Sequence, residues 1–342
     1  MPVNTLSSVV KINLRKQTGR LSGAQSINEG GSIYLHRYLG IFLGLGLLLL
    51  CQACSYIEPT KTPPYYIRID SIPFTDSLTN TVGRNQGKNT QQITDAWVFA
   101  NGDFIGAYEL PAVIPVPASG PNVTFTIEPG VFSDGIKDYR ISYPFYKGLN
   151  KVITLSEGAV VPVAFRTTYK IANGNLKDPF PYLFDFESQV DSLQFTGTNN
   201  NTGTFGRSTL PGEVYPDGGS YSFKLAGRSG SSSGVVEVTT VNQVRLPQDG
   251  SPIYLELNYK ATANLLVGLN FFSSTQGTTG YIYDLNLLPT NGRWRKIYVS
   301  LVDEALTAPQ KSNFKLSFRV TGAKAATDYV LLDNLRLMQM DR

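Results

Sequence analysis

Ala96-Trp97-Val98-Phe99-Ala100-Asn101-Gly102-Asp103-Phe104-Ile105-Gly106-Ala107-Tyr108 reads as two apolar runs joined by an Asn-Gly pair. Asparagine and glycine both tolerate the positive φ of a type I′ turn, and that turn's twist matches paired strands, so the stretch predicts a β-hairpin. Upstream, Tyr65, Ile67 and Ile69 alternate with polar neighbours at the two-residue period of a half-buried strand, and the polar 75–92 segment reads as loop. Downstream, further strands are expected over 123–127, 139–143, 151–155 and 159–169. Trp97 reads as a core residue of its apolar strand, the alternative being an exposed binding platform.

Pro179-Phe180-Pro181 interrupts this series. Beyond it, strands are expected to begin at Phe184-Asp185-Phe186-Glu187 and to continue at 220–225, 235–241, 253–259, 265–272, 281–287, 294–301, 314–320 and 329–337, a number that suits a two-sheet jelly roll. The abundance of Gly, Pro, Tyr and Phe fits strands joined by tight turns, and the fold class read from the sequence is all-β. The expected division is a leader over 1–53, a tether over 54–64, an immunoglobulin-like β-sandwich over 65–172, a linker over 173–182 and a jelly-roll β-sandwich over 183–342.

The uncharged run Leu39–Leu50 follows His36 and Arg37 and is too short to span a bilayer as a helix, which needs about 20 apolar residues; it fits a secretory signal region. Cys51-Gln52-Ala53-Cys54-Ser55 resembles a lipobox. That resemblance implies a diacylglyceryl anchor on Cys54, with Cys51 as the alternative acceptor, and an outer-membrane lipoprotein facing the periplasm or the cell exterior. An uncleaved signal anchor is the competing reading, and both export the C-terminal part.

The net charge of +4 does not point to nucleic acid. Lys11, Arg15, Lys16, Arg20 and Arg37 against Glu29 place the whole excess within residues 1–53, so acids and bases balance in the remainder. No basic stretch is left to neutralise phosphates. The only cysteines are Cys51 and Cys54 and the only histidine is His36, which removes disulfides, the usual zinc sets and histidine-based hydrolysis from the exported part. The expectation is a protein that is not an enzyme.

Trp97 to Gly102, Gly106 to Pro111 and Val123 to Gly130 resemble PEGA-type and carboxypeptidase-regulatory-like domains, which implies a small immunoglobulin-like spacer or interaction module without chemistry. Phe184 to Glu187, Tyr221 to Leu225, Tyr254 to Tyr259, Arg293 to Tyr298 and Leu331 to Leu337 together resemble galactose-binding-like jelly rolls, including carbohydrate-binding modules. The resemblance implies a polysaccharide ligand, with Tyr281, Tyr283 and Trp294 as candidate binding residues, although Trp294 equally suits the family's core tryptophan. It also implies a structural calcium on Asp185 or Glu187 and Asp333, against which stands a plain turn or edge role for Asp333-Asn334. No other cofactor is expected. A structural or adhesion lipoprotein with protein partners and no sugar ligand is the alternative function.

Overall fold

The computed structural model describes residues 64–75, 88–170 and 182–340, all of which fall within one compact unit. Cys51, Cys54, the leader, the tether up to residue 63 and the linker up to residue 181 lie outside the described residues.

The first sandwich contains β1 (Tyr65–Ile69), β2 (Asp95–Ala100), β3 (Asp103–Glu109), β4 (Ala112–Val116), β5 (Asn122–Phe132), β6 (Arg140–Ser142), β7 (Leu149–Thr154) and β8 (Val160–Pro162). One sheet runs β4-β1-β8; the other runs β3-β2-β5, with β7 along the first half of β5 and β6 along the second. Ile67, Ile69 and Ile114 from one sheet meet Val98, Phe125 and Ile127 from the other in a single apolar core. The hairpin forms as its turn residues dictate, with Asn101 at φ 53° and Gly102 at φ 93°. Trp97 is not in this core. Its ring lies half-buried on the other face of the sheet, stacked on Phe104 with centroids 5.4 Å apart. The strand expected over 159–169 shrinks to Val160–Pro162, because the chain then leaves the sheet and makes only isolated bridges at Thr167 and Tyr169.

The second sandwich contains β9 (Tyr182–Phe184), α1 (Gln189–Leu193), β10 (Phe195–Gly197), β11 (Thr204–Ser208), β12 (Ser222–Ala226), β13 (Val236–Thr240), β14 (Ile253–Ala261), β15 (Asn264–Ser273), β16 (Thr278–Leu287), β17 (Arg295–Ser300), α2 (Val302–Thr307), β18 (Asn313–Thr321) and β19 (Tyr329–Gln339). Its strands form two antiparallel sheets, β10-β13-β18-β15-β16 and β11-β12-β19-β14-β17, with β9 pairing β19 beyond the end of β12. Phenylalanines fill the space between them: Phe186 stacks on Phe223 at 5.0 Å, and Phe195 packs against both.

Two bulges shape these sheets. On β19 one extra residue falls between the Glu256–Arg336 and Asn258–Asp333 pairs, and Asn334 takes it up at φ 50°, a conformation asparagine tolerates. Asp333-Asn334 is thus neither a turn nor an edge pair but a bulge in a central strand. On β16 the extra residue falls opposite the Val267–Gly268 step. Gly268 is needed there, since a Cβ would lie 2.8 Å from the Tyr283 backbone.

The outer face of the β14-β17-β19 region is covered by the first sandwich. Tyr143, Phe145, Tyr146 and Tyr169 pack against Tyr254, Tyr298 and Met338, all buried. Within this aromatic layer the register sets Arg336, Glu256 and Tyr298 side by side on three adjacent strands. The Glu256 carboxylate accepts the hydroxyl protons of Tyr143 and Tyr169, each at 2.9 Å, and faces Arg336 at 3.1 Å and Lys296 at 3.3 Å. Burial alone would push its carboxyl up, but Lys296 and Arg336, aided by the two phenols, hold it below the usual carboxylate range. Burial likewise brings Lys296 down to about 8, with Glu256 opposing the fall. Backbone contacts reinforce the joint: the Asp134 amide donates to the Tyr298 carbonyl at 2.8 Å and the Ser300 amide to Asp134 Oδ1 at 2.9 Å.

Removing the charge with Glu256→Gln leaves Arg336 and Lys296 uncompensated in a buried site and is expected to cost about 3–5 kcal/mol in urea unfolding. Replacing all three charges together, Glu256→Met with Lys296→Met and Arg336→Met, should recover part of that loss, the Tyr143 and Tyr169 hydroxyls being left without their acceptor. A single-variant cost under about 1 kcal/mol would show that the network is not what secures the joint.

Candidate functional site

The sheet face pointing away from the core on β10-β13-β18-β15-β16 carries Glu237, Asn270, Ser317, Arg319, Tyr281 and Tyr283, each alternating with a core residue of its strand. Tyr281 and Tyr283 are two residues apart on β16, so both side chains leave the same side of the sheet. Their rings are parallel to within 9° with centroids 6.1 Å apart, and Tyr281 is 45% exposed.

Beneath the rings the floor is polar. The Tyr283 hydroxyl donates to Glu237 and lies 3.0 Å from Ser317 Oγ, and Thr198 Oγ1 donates to the other Glu237 oxygen at 3.0 Å. Burial and then the bond to Glu237 push the Tyr283 phenol far above its ordinary value, so it stays a neutral donor. Asn270 Oδ1 and Arg319 Nε are buried there without a hydrogen-bond partner. A buried polar atom left unpaired costs free energy that a ligand hydroxyl or an ordered water would recover. The pairing of Tyr281 with Tyr283 was legible from strand alternation. Glu237, Asn270 and Arg319 were not, because only the pairing of β13, β18, β15 and β16 brings them together.

Trp294 is elsewhere. It precedes β17 on the other sheet, half-buried, its ring edge-on to Tyr215 at 5.2 Å, and belongs neither to the sandwich core nor to the tyrosine face.

The carboxylates proposed for calcium do not converge as a metal set. Asp185 Oδ1 accepts the Glu187 amide at 3.2 Å. Asp191 has its own carboxyl raised to about 6 by burial and then by Asp185. Glu187 accepts the amides of Ser220 at 3.0 Å and Tyr221 at 3.3 Å. Asp333 accepts the Ser222 hydroxyl at 2.5 Å and the Asn334 amide at 2.7 Å. The positive charge beside them is the Lys88 ammonium, 3.0 Å from Asp217 Oδ1 and 3.5 Å from Glu187 Oε1. Gly219 makes room for it, since a Cβ there would lie 2.6 Å from Lys88 Nζ. Burial works against this ammonium, but Asp217 and Glu187 outweigh it and raise its pKa. No group of three or more His, Cys, Asp or Glu placed to hold a metal occurs among the described residues. The residues present therefore do not fit calcium, because a lysine from the first sandwich's polar loop supplies the cation.

No protein-family profile matches the sequence, and no curated protein does. Among solved structures, the CBM22-1 xylan-binding domain of Paenibacillus barcinonensis Xyn10C is similar over 47% of this chain and 94% of its own, at 16% identity and a TM-score of 0.35. The C-terminal family 22 carbohydrate-binding module of Clostridium thermocellum Xyn10B is similar over 47% and 93%, at 14% identity and TM-score 0.34. A family 11 module from the same species, solved with a β-1,3-1,4-mixed-linked tetrasaccharide, is similar over 46% and 94%, at 11% identity and TM-score 0.32. Scores of this size assign neither ligand nor site.

Two outcomes are expected here. Lys88→Met should cost about 1–3 kcal/mol, the worth of hydrogen bonds to a charged group, while EDTA followed by calcium leaves the wild-type melting temperature unchanged; a calcium-dependent rise in the wild type would overturn the lysine assignment. Burial raises Asp333 from 3.8 to about 7. Because the folded value is the higher one, this group's contribution to stability is fully present below about pH 3.8 and is lost as pH rises through about 7. Unfolding free energy measured against pH should show that decline in the wild type and lack it in Asp333→Asn.

Proposed function

We propose that the protein is a non-catalytic glycan-binding lipoprotein of the bacterial envelope, anchored through Cys54 and presenting the tyrosine-bearing sheet face to a polysaccharide. The observation that carries the reading is the Tyr281–Tyr283 pair above Glu237, Asn270 and Arg319. Planar rings suit the C–H faces of sugar rings, and the buried unpaired atoms beneath suit their hydroxyls. Parallel rings one strand-repeat apart favour an extended chain over a single monosaccharide.

Titration calorimetry of the protein with a panel of neutral polysaccharides tests this. Tyr281→Ala is expected to weaken the best binder at least about tenfold with the melting temperature unchanged. Tyr283→Phe, which removes the hydroxyl on Glu237, should weaken it less. Silence across the panel would favour the adhesion reading, with protein partners in place of sugar.

A further inference from the structure

A second concave region, away from the tyrosine face, lies where the two sandwiches meet. It is a cleft of about 740 Å³, bounded on one side by the 132–137 turn of the first sandwich and on the other by the end of β16 and the start of β17. That volume falls within the range of about 300–1,000 Å³ of sites that take small molecules, and domain junctions are a common place for them.

Its lining is basic and apolar. Ile136, from the first sandwich, and Leu288, from the second, are 51% and 63% exposed. Asp134, the one acid among the lining residues whose side chain is described, already accepts the Ser300 amide. Lys137 pairs with Glu109 at 3.6 Å, and Lys296 is committed to Glu256. Arg293 and Arg295 remain. Both are exposed, both line the cleft, and neither guanidinium makes a salt bridge or hydrogen bond with another described residue. In an exported part whose acids and bases balance, two uncompensated guanidiniums beside exposed apolar walls are a local excess with a specific complement. A guanidinium presents a planar fork of donors that matches an oxyanion bidentately, and Trp294, between the two arginines in sequence, adds an aromatic surface to the same lining.

We propose that this cleft is a second binding site, for an acidic glycan unit whose oxyanion, a uronate carboxylate or a sulfate ester, is held by Arg293 and Arg295 while its ring lies against the apolar lining. The choice of a glycan rests on the proposed function; the choice of an anion rests on the two arginines alone. β16 contributes to both sites, but the two arginines lie at the start of β17 in the other sheet and the two tyrosines on the outward face of β16, so the two sites respond to different substitutions.

Calorimetry on the whole protein with trigalacturonate, a sulfated trisaccharide and neutral galactotriose separates them. At least one acidic ligand is expected to bind, the responding arm naming the oxyanion, with affinity falling as salt is raised. The double variant Arg293→Gln, Arg295→Gln should lose at least about tenfold at an unchanged melting temperature, while Tyr281→Ala leaves that binding intact. Absence of binding by both acidic ligands, or binding indifferent to the arginines, overturns the proposal. Neutral polysaccharide binding that disappears in Tyr281→Ala but survives in the arginine variant reports on the sheet face alone, so the failure of either reading is visible separately.

Discussion

Glu256 is the residue on which the arrangement of the two sandwiches depends. A carboxylate without solvent is tolerable only when its charge and lone pairs are matched. Here the partners come from both sandwiches: phenols from Tyr143 and Tyr169, and cations from Lys296 and Arg336. Each phenol is itself buried and needs an acceptor. The aromatic layer around them contributes the apolar area, but packing alone permits many docking angles; the hydrogen-bonding demands of one buried charge admit few. The inter-sandwich cleft lies beside the same joint, where the bonds of Asp134 to Tyr298 and Ser300 hold the 132–137 turn beside β17.

How far this was legible in the sequence differs by residue. Alternation exposed the strands that have one wet and one dry face, and the Asn101-Gly102 turn followed from backbone preference. β4 was missed because Pro115 argues against a strand; it is tolerated because β4 is the edge of its sheet. β10 is only three residues long, and β11 is polar and broken by Gly206, so neither carries a usable pattern. Glu256 in Leu255-Glu256-Leu257 reads as an outward residue, as it is; what the pattern does not encode is that another sandwich covers the outside. Lys88 was hidden more completely, since a lysine in a polar loop has no periodicity and its partners lie about a hundred residues or more away.

The resemblance-based site assignments divide along the same line. Tyr281 and Tyr283 are two apart on one strand, so their shared face is a local property. The calcium set Asp185, Glu187 and Asp333 depended on three loops and strands converging, and the chain satisfies those acids with amides, a serine hydroxyl and an ammonium instead. Trp294 was expected to open its strand, but β17 begins one residue later at Arg295, and Trp294 lines the cleft instead of joining the sandwich core.

The tyrosine pair sits on β16, the last strand of its sheet, whose outer backbone edge has no strand beside it among the described residues. Such an edge is a template for self-association, and a flat apolar one would recruit a second copy of the chain. The extra residue opposite Gly268 interrupts the regular ladder next to Tyr283 and increases the local twist. An incoming strand would find its partner groups out of step after a few residues. The bulge therefore lets aromatic rings stand at an open border of the sheet while discouraging the polymerisation that such a border invites.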